Sequence, residues 1–177
     1  NMSGRAPKAF VERMVREGRV QKLFNGEITE SGLCPSHPDN QELEVASMLE
    51  IVRAYDVDGV HFDYIRYPDG NACYCEGCRA RFEAKFGRPV VKWPQDTRAH
   101  DDVRAAWLAF RRDNIDTVVR RVSHEARAVR PSAQISAAVF RNWPVDRDSI
   151  GQDWGMWCEQ GWLDFVCPMD YVDANVS

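Results

Sequence analysis

Asp58-Gly59-Val60-His61-Phe62-Asp63-Tyr64-Ile65-Arg66-Tyr67-Pro68 is the stretch whose reading decides the fold. Asp58-Gly59 turns the chain into a short apolar run, Val60 to Ile65, which reads as a strand. Near-continuous apolar strands belong to sheets covered on both faces, and such sheets are mainly parallel. The run hands over to Asp63, Tyr64, Arg66, Tyr67 and Asp69. A strand that served stability alone would close on a plain Gly/Asn/Ser turn.

Outward from this strand, helix and strand alternate. Upstream, Leu43, Ala46 and Leu49 recur at helical spacing to about Tyr55, with Asp39 as the expected cap and Glu42 placed to reach back. Before it, Leu33-Cys34 reads as a strand stub, Asn25-Gly26 within Val20 to Ile28 as a hairpin, and residues 6 to 17 as a helix closed by Gly18. Downstream, a short helix runs from Arg79 to Phe86, and a long one from Asp101 to Val129 carries Val103, Trp107, Phe110, Val118, Val122 and Ala126 near one stripe before Arg130-Pro131 stops it. Ile135 to Phe140 is a strand, Gln152 to Gln160 a helix, and Leu163 to Met169 the last strand. Alternation of this kind calls for a parallel sheet with helical crossovers. The expectation is an α/β fold of (β/α)8 TIM-barrel type. About four strand-helix units are present, against the eight of a full barrel, so residues 1–177 read as one incomplete barrel domain, truncated at both ends.

Composition removes several classes. Hydrophobic residues make up 44% and charged residues 28% of the 177 positions, which fits a globular domain rather than a disordered one. A net charge of -4 argues against a nucleic-acid partner, which asks for a basic excess. No apolar run approaches the roughly 20 residues of a membrane span. Gly-rich phosphate loops are missing after the strands, and His124-Glu125 lacks the second histidine of a zinc hydrolase motif. The compartment stays open, with an extracytoplasmic or cell-envelope site among the possibilities.

In parallel α/β folds, function gathers at the C-terminal ends of strands. Carboxyl groups there suit glycosidic cleavage, which builds positive charge at the anomeric carbon and needs a proton on the leaving oxygen. Asp63 is the first catalytic candidate, and Asp170, at the end of Leu163 to Met169, the second. Asp164 reads as structural and Asp153 as a helix cap. His61 shares a strand face with Asp63 and is placed to bond to it or to substrate. Tyr64, Arg66, Tyr67 and Tyr171 complete the expected substrate contacts, with Trp143 as a flat platform for a sugar ring. A salt bridge from Asp63 to Arg66 that merely ties down the loop is the plainer alternative. Trp107, Trp154, Trp157 and Trp162 read as packing.

Three of the six cysteines crowd one loop, as Cys73-Tyr74-Cys75-Glu76-Gly77-Cys78. The C-x2-C spacing with glycine inside suits tetrahedral zinc. Cys34, at the end of the preceding strand stub, is the expected fourth ligand and His37 the reserve. A closed four-thiolate site is structural, so catalysis needs no cofactor. A disulfide or free thiols are the alternatives, and Cys158 and Cys167 read as buried small hydrophobes.

The stretch Asp58 to Pro68 resembles the signature strand of glycosyl hydrolase-like family 10. Leu33-Cys34-Pro35-Ser36-His37-Pro38 resembles the family's preceding strand end, with Cys where Asn is common. Gln152-Asp153-Trp154 through Trp157, then Gly161 to Met169, resembles the helix and strand near the sixth repeat. The resemblance implies a TIM barrel acting on a polysaccharide or oligosaccharide, with cell-wall glycan among the possible substrates, and matches Asp63 to the motif's acidic position. Tyr64 stands where members often carry a second acid, and Asp170 where many carry an apolar residue. A non-catalytic carbohydrate-binding or degenerate barrel module therefore stands beside the hydrolase reading.

Overall fold

The computed structural model describes residues 6–170, apart from the side chains of residues 30 and 31. The element order is α1 (Lys8–Arg16), β1 (Val20–Lys22), β2 (Ile28–Leu33), α2 (Pro38–Ala54), β3 (Gly59–Phe62), α3 (Glu76–Phe86), α4 (Asp96–Ala99), α5 (Asp101–Val129), β4 (Gln134–Val139), α6 (Trp143–Ser149), α7 (Trp154–Glu159) and β5 (Phe165–Pro168).

Strands β3, β4 and β5 form a parallel sheet in that order, with Val60 beside Ile135 and Ala137 beside Val166. Helical crossovers join them, as parallel neighbours require. The α/β parallel class read from the alternation is therefore present. Among the described residues the sheet is open, with no closed barrel. One correction concerns Leu33-Cys34. Leu33 belongs to β2, which pairs antiparallel with β1 in a separate hairpin, so the parallel sheet has three strands rather than four. The Asn25-Gly26 turn closes that hairpin, with Gly26 at φ 94°.

Alternation divides the faces of the sheet. Val60, Phe62, Ile135, Ala137 and Val139 are buried and share one core with Val45, Leu49 and Val52 of α2 and Val118, Val119 and Val122 of α5. On the other face His61, Phe165 and Cys167 are exposed. Gly59 permits the close approach of β3 to β4, because a Cβ there would run into the Gln134 carbonyl oxygen. Beyond the sheet, Trp107 stacks on Tyr74 with centroids 5.2 Å apart and meets Phe82 edge-on at 5.1 Å. This aromatic cluster packs the loop after β3 and helix α3 onto α5.

Three local expectations change. His37, not Asp39, caps α2: its ring nitrogen accepts from the Asp39 N–H, and Pro38 occupies the first turn. Residues 143–149 form a helix, α6, in a stretch to which the sequence pattern assigns no element. Asp153 sits at the start of α7 without capping it; its carboxylate accepts instead from Trp143 Nε1 at 2.8 Å. No helix among the described residues is long and apolar enough to cross a membrane.

Candidate active site

The ladder of β3 ends at Phe62, and the chain turns sharply. The Asp63 carboxylate accepts from the Tyr64 N–H at 2.8 Å, and the Tyr64 carbonyl accepts from the Arg66 N–H at 2.8 Å. Tyr64 stands at φ 56°, in the left-handed region that costs a non-glycine residue roughly 1–2 kcal/mol. Strain of this kind concentrates at functional sites.

The turn opens on a cavity of about 650 Å³. Asp63, Tyr64, Ile65, Arg66, Pro68 and Asp69 supply one wall. The β1–β2 hairpin and Cys34-Pro35 supply another, and Glu44 of α2 with Asn114 and Val118 of α5 close it. Asp63 is exposed, and no ion pair joins it to Arg66 or to any other described cation. The loop-tying salt bridge is therefore not made. Instead the Arg66 guanidinium lies near two rings, 5.1 Å from the Tyr64 centroid and 4.7 Å from that of Phe140. Phe140 is itself fixed at the end of β4: its N–H donates to Gln152 and its carbonyl accepts from Trp154 Nε1.

The remaining expected residues separate. His61 does not line the cavity; its Nδ1 bonds to Ser136 Oγ at 2.9 Å across the β3–β4 pair. Tyr67 is 1% exposed and lies beneath the loop, its hydroxyl accepting from Asn114 and its ring under the Arg111 guanidinium at 4.3 Å. Burial, with the nearby Cys78, pushes its phenol well above the usual range. Asp170 stands beyond the end of β5, outside the cavity lining, in an ion pair with Arg141 at 2.9 Å. Trp143 is half-buried, meets Trp154 edge-on at 6.5 Å and bonds to Asp153, so its ring serves packing between α6 and α7. Tyr171 lies outside the described residues. Glu44 and Arg111 carried no signal in the sequence. Glu44 is one carboxylate among helical surface positions. Arg111 is 1% exposed and reaches from α5 to the Asp69 carbonyl at 2.6 Å and the Ser149 carbonyl at 3.0 Å, anchoring the loop that carries Asp63.

Cys34, Cys73, Cys75 and Cys78 converge beside this cavity. All four are buried, and their sulfurs lie within 4.8 Å of one another. Cys34 is 3.4 Å from Cys78 and 3.7 Å from Cys75, and no disulfide joins them. A tetrahedral zinc with bonds near 2.3 Å places its sulfurs about 3.8 Å apart, so the four thiols fit such an ion. The surroundings fit as well. Backbone N–H groups of Lys22 and Cys78 point at Cys73 and Cys75, Ser36 Oγ bridges Cys34 and Cys78, and Arg81 approaches Cys34 Sγ at 3.8 Å. Hydrogen bonds from Cys73, Cys75 and Cys78 hold the Cys34 thiol well below the ordinary thiol range despite its burial. His37, the reserve ligand, is engaged in capping α2. Cys158 and Cys167 are exposed rather than buried, which corrects their reading as core residues.

The family model for glycosyl hydrolase-like 10 matches residues 2–176. The chain belongs to the glycosyl hydrolase-like 10 family. Among its curated relatives, glycosyl hydrolase DigH of Escherichia coli K12 is 27% identical over 153 residues, covering 78% of this chain and 31% of that protein. Glycosyl hydrolase YngK of Bacillus subtilis is 23% identical over 152 residues, covering 77% and 27%. The chain thus spans about three-tenths of the relatives it matches. A β-galactosidase from Bacillus circulans sp. alkalophilus superposes with a TM-score of 0.64 at 12% identity, over 93% of this chain and 29% of that one. One from the haloarchaeon Halorubrum lacusprofundi gives 0.58 at 16% identity, over 81% and 27%. These two likenesses concern the fold.

Proposed function

We propose that this chain is part of a (β/α)-barrel glycoside hydrolase acting on a polysaccharide or cell-wall glycan, with Asp63 as a catalytic carboxylate. The observation that carries the reading is the state of Asp63: an exposed carboxylate at the C-terminal end of a parallel strand, lining a cavity and paired with no cation among the described residues. The Tyr64 N–H donates to it and orients it through a strained turn. Anomeric chemistry asks for such a group, free to stabilise positive charge or to attack.

The second carboxylate comes from Asp170 or from the two acids that share the cavity with Asp63, namely Asp69 and Glu44. Asp170 is held by Arg141 and would have to exchange that partner for substrate. Glu44 lines the same cavity from α2. The cysteine cluster, in the same reading, holds a structural zinc through Cys34, Cys73, Cys75 and Cys78. With four protein ligands the ion has no open position, and it supplies rigidity rather than chemistry.

Hydrolysis of soluble oligosaccharides and isolated glycan strands by the whole protein, wild type against Asp63→Asn, tests the assignment. Loss of about 10²–10⁴-fold in rate with binding retained is expected for a lost acid/base group. An unchanged rate removes Asp63 from the chemistry. Binding without product in the wild type identifies a carbohydrate-binding module instead.

A further inference from the structure

Arg66 is an unusual cation for a cleft that contains three acids. Asp63, Asp69 and Glu44 line the same cavity, yet Arg66 pairs with none of them. The rings of Tyr64 and Phe140 lie 5.1 Å and 4.7 Å from its guanidinium carbon, within reach of cation–π attraction. Its Nε is buried without any partner. Nη1 makes one long bond, 3.3 Å, to the Tyr67 carbonyl, and Nη2 has no partner while remaining open to solvent. The buried Nε is under-satisfied, because a buried donor left without a partner costs free energy, and Nη2 offers unused donors to an incoming group. Tyr64, which supplies one of the two rings, stands at the strained φ of 56°.

We infer that Arg66 is a recognition site for a carboxylate carried by the glycan, so that the cleft selects acidic sugars. The inference rests on the glycan reading above and adds the substrate class. A planar guanidinium whose Nη2 is unpartnered and whose Nη1 holds one long bond still has the hydrogens to meet a carboxylate through two parallel N–H···O bonds, a geometry that neutral hydroxyls fill less strongly. With Nε buried, the Nη2 end is the approach. The carboxylates of the cavity repel an acidic sugar everywhere except at Arg66, which sets the register of the chain relative to Asp63.

The test is binding and hydrolysis by the whole protein on an oligosaccharide panel. The panel holds carboxylated members, of uronic-acid and carboxyalkyl-ether type, beside the same members after chemical reduction of the carboxyl to an alcohol. The wild type is expected to bind a carboxylated member at least about tenfold more tightly than its reduced twin, the worth of a charge-assisted pair. Arg66→Gln should abolish that preference, and Arg66→Lys should restore only part of it. Because the ligand pair interrogates the wild type, the result does not depend on the variants folding. Equal binding of both twins, a preference unchanged in Arg66→Gln, or no carboxylated member bound overturns the inference. Equal cleavage of both twins does so while leaving the hydrolase reading intact. Selective binding with no cleavage leaves Arg66 assigned and removes the hydrolase.

Discussion

Replacing Asp116 by Asn should make the protein more stable at neutral and alkaline pH, and the size of the gain follows from where Asp116 sits. It lies on α5 against α7, accepting from Nε1 of the fully buried Trp157 at 2.6 Å. Burial pushes its carboxyl from 3.8 up to about 7, overcoming the Trp157 bond, and the neighbouring Asp153 and Asp113 add to the rise. The folded protein therefore holds a proton that the unfolded chain releases near pH 4. The stabilisation is complete below the unfolded value and disappears as pH rises through the folded one. Three units at about 1.36 kcal/mol each give roughly 4 kcal/mol, and solvent screening at this partly exposed group lowers that to about 2–4 kcal/mol. Asparagine keeps the volume and the acceptor for Trp157 but never ionises. Urea unfolding of both proteins from pH 4 to pH 8.5 reads the difference directly, because all other titrations cancel. The two curves should coincide near pH 4 and diverge by about 2–4 kcal/mol by pH 8, with the variant above. Parallel curves across the range would refute the argument, since they would mean that Asp116 ionises alike in both states.

Two further outcomes follow from the loop and its neighbours. Metal analysis of protein purified under reducing conditions should find one zinc per chain, and Cys78→Ala should lose it; the absence of stoichiometric zinc in the wild type eliminates the clamp. Arg111→Met should lower stability by about 3–6 kcal/mol, because its two close bonds, to the Asp69 and Ser149 carbonyls, each contribute about 1.5–3. A loss below about 1 kcal/mol in the same urea assay would show that the loop is held by other contacts.

The elements that could be read from the sequence are those whose cause is local. Helix α5 matches its expected limits because an apolar stripe runs its length and Arg130-Pro131 stops it. The hairpin follows from Asn25-Gly26, and β3 from the apolar run after Asp58-Gly59. The cysteine site was legible twice over, through the spacing of Cys73, Cys75 and Cys78 and the recurrence of Cys34 at a strand end. What escaped depends on partners distant in sequence. Nothing local tells Leu33 that it pairs with Val20 rather than joining the parallel sheet. Tyr67 stands in the polar-aromatic cluster expected to meet substrate at the strand end, but the chain turns at Tyr64 and Tyr67 lies inward against Asn114. Arg111 and Glu44 reach the site from helices, where one charged residue resembles any other until the fold brings it near the loop.

The open sheet has a consequence for handling the molecule. β3 and β5 are its outer strands, and among the described residues each has one flank with no strand beside it. Amide and carbonyl groups along such flanks recruit whatever extended chain comes near, and Phe165 and Cys167 add an apolar, oxidisable face beside them. Studied as an isolated segment, the molecule should behave as a sticky ribbon, growing into dimers and larger species as concentration rises and becoming covalently locked through Cys167 when reductant runs out.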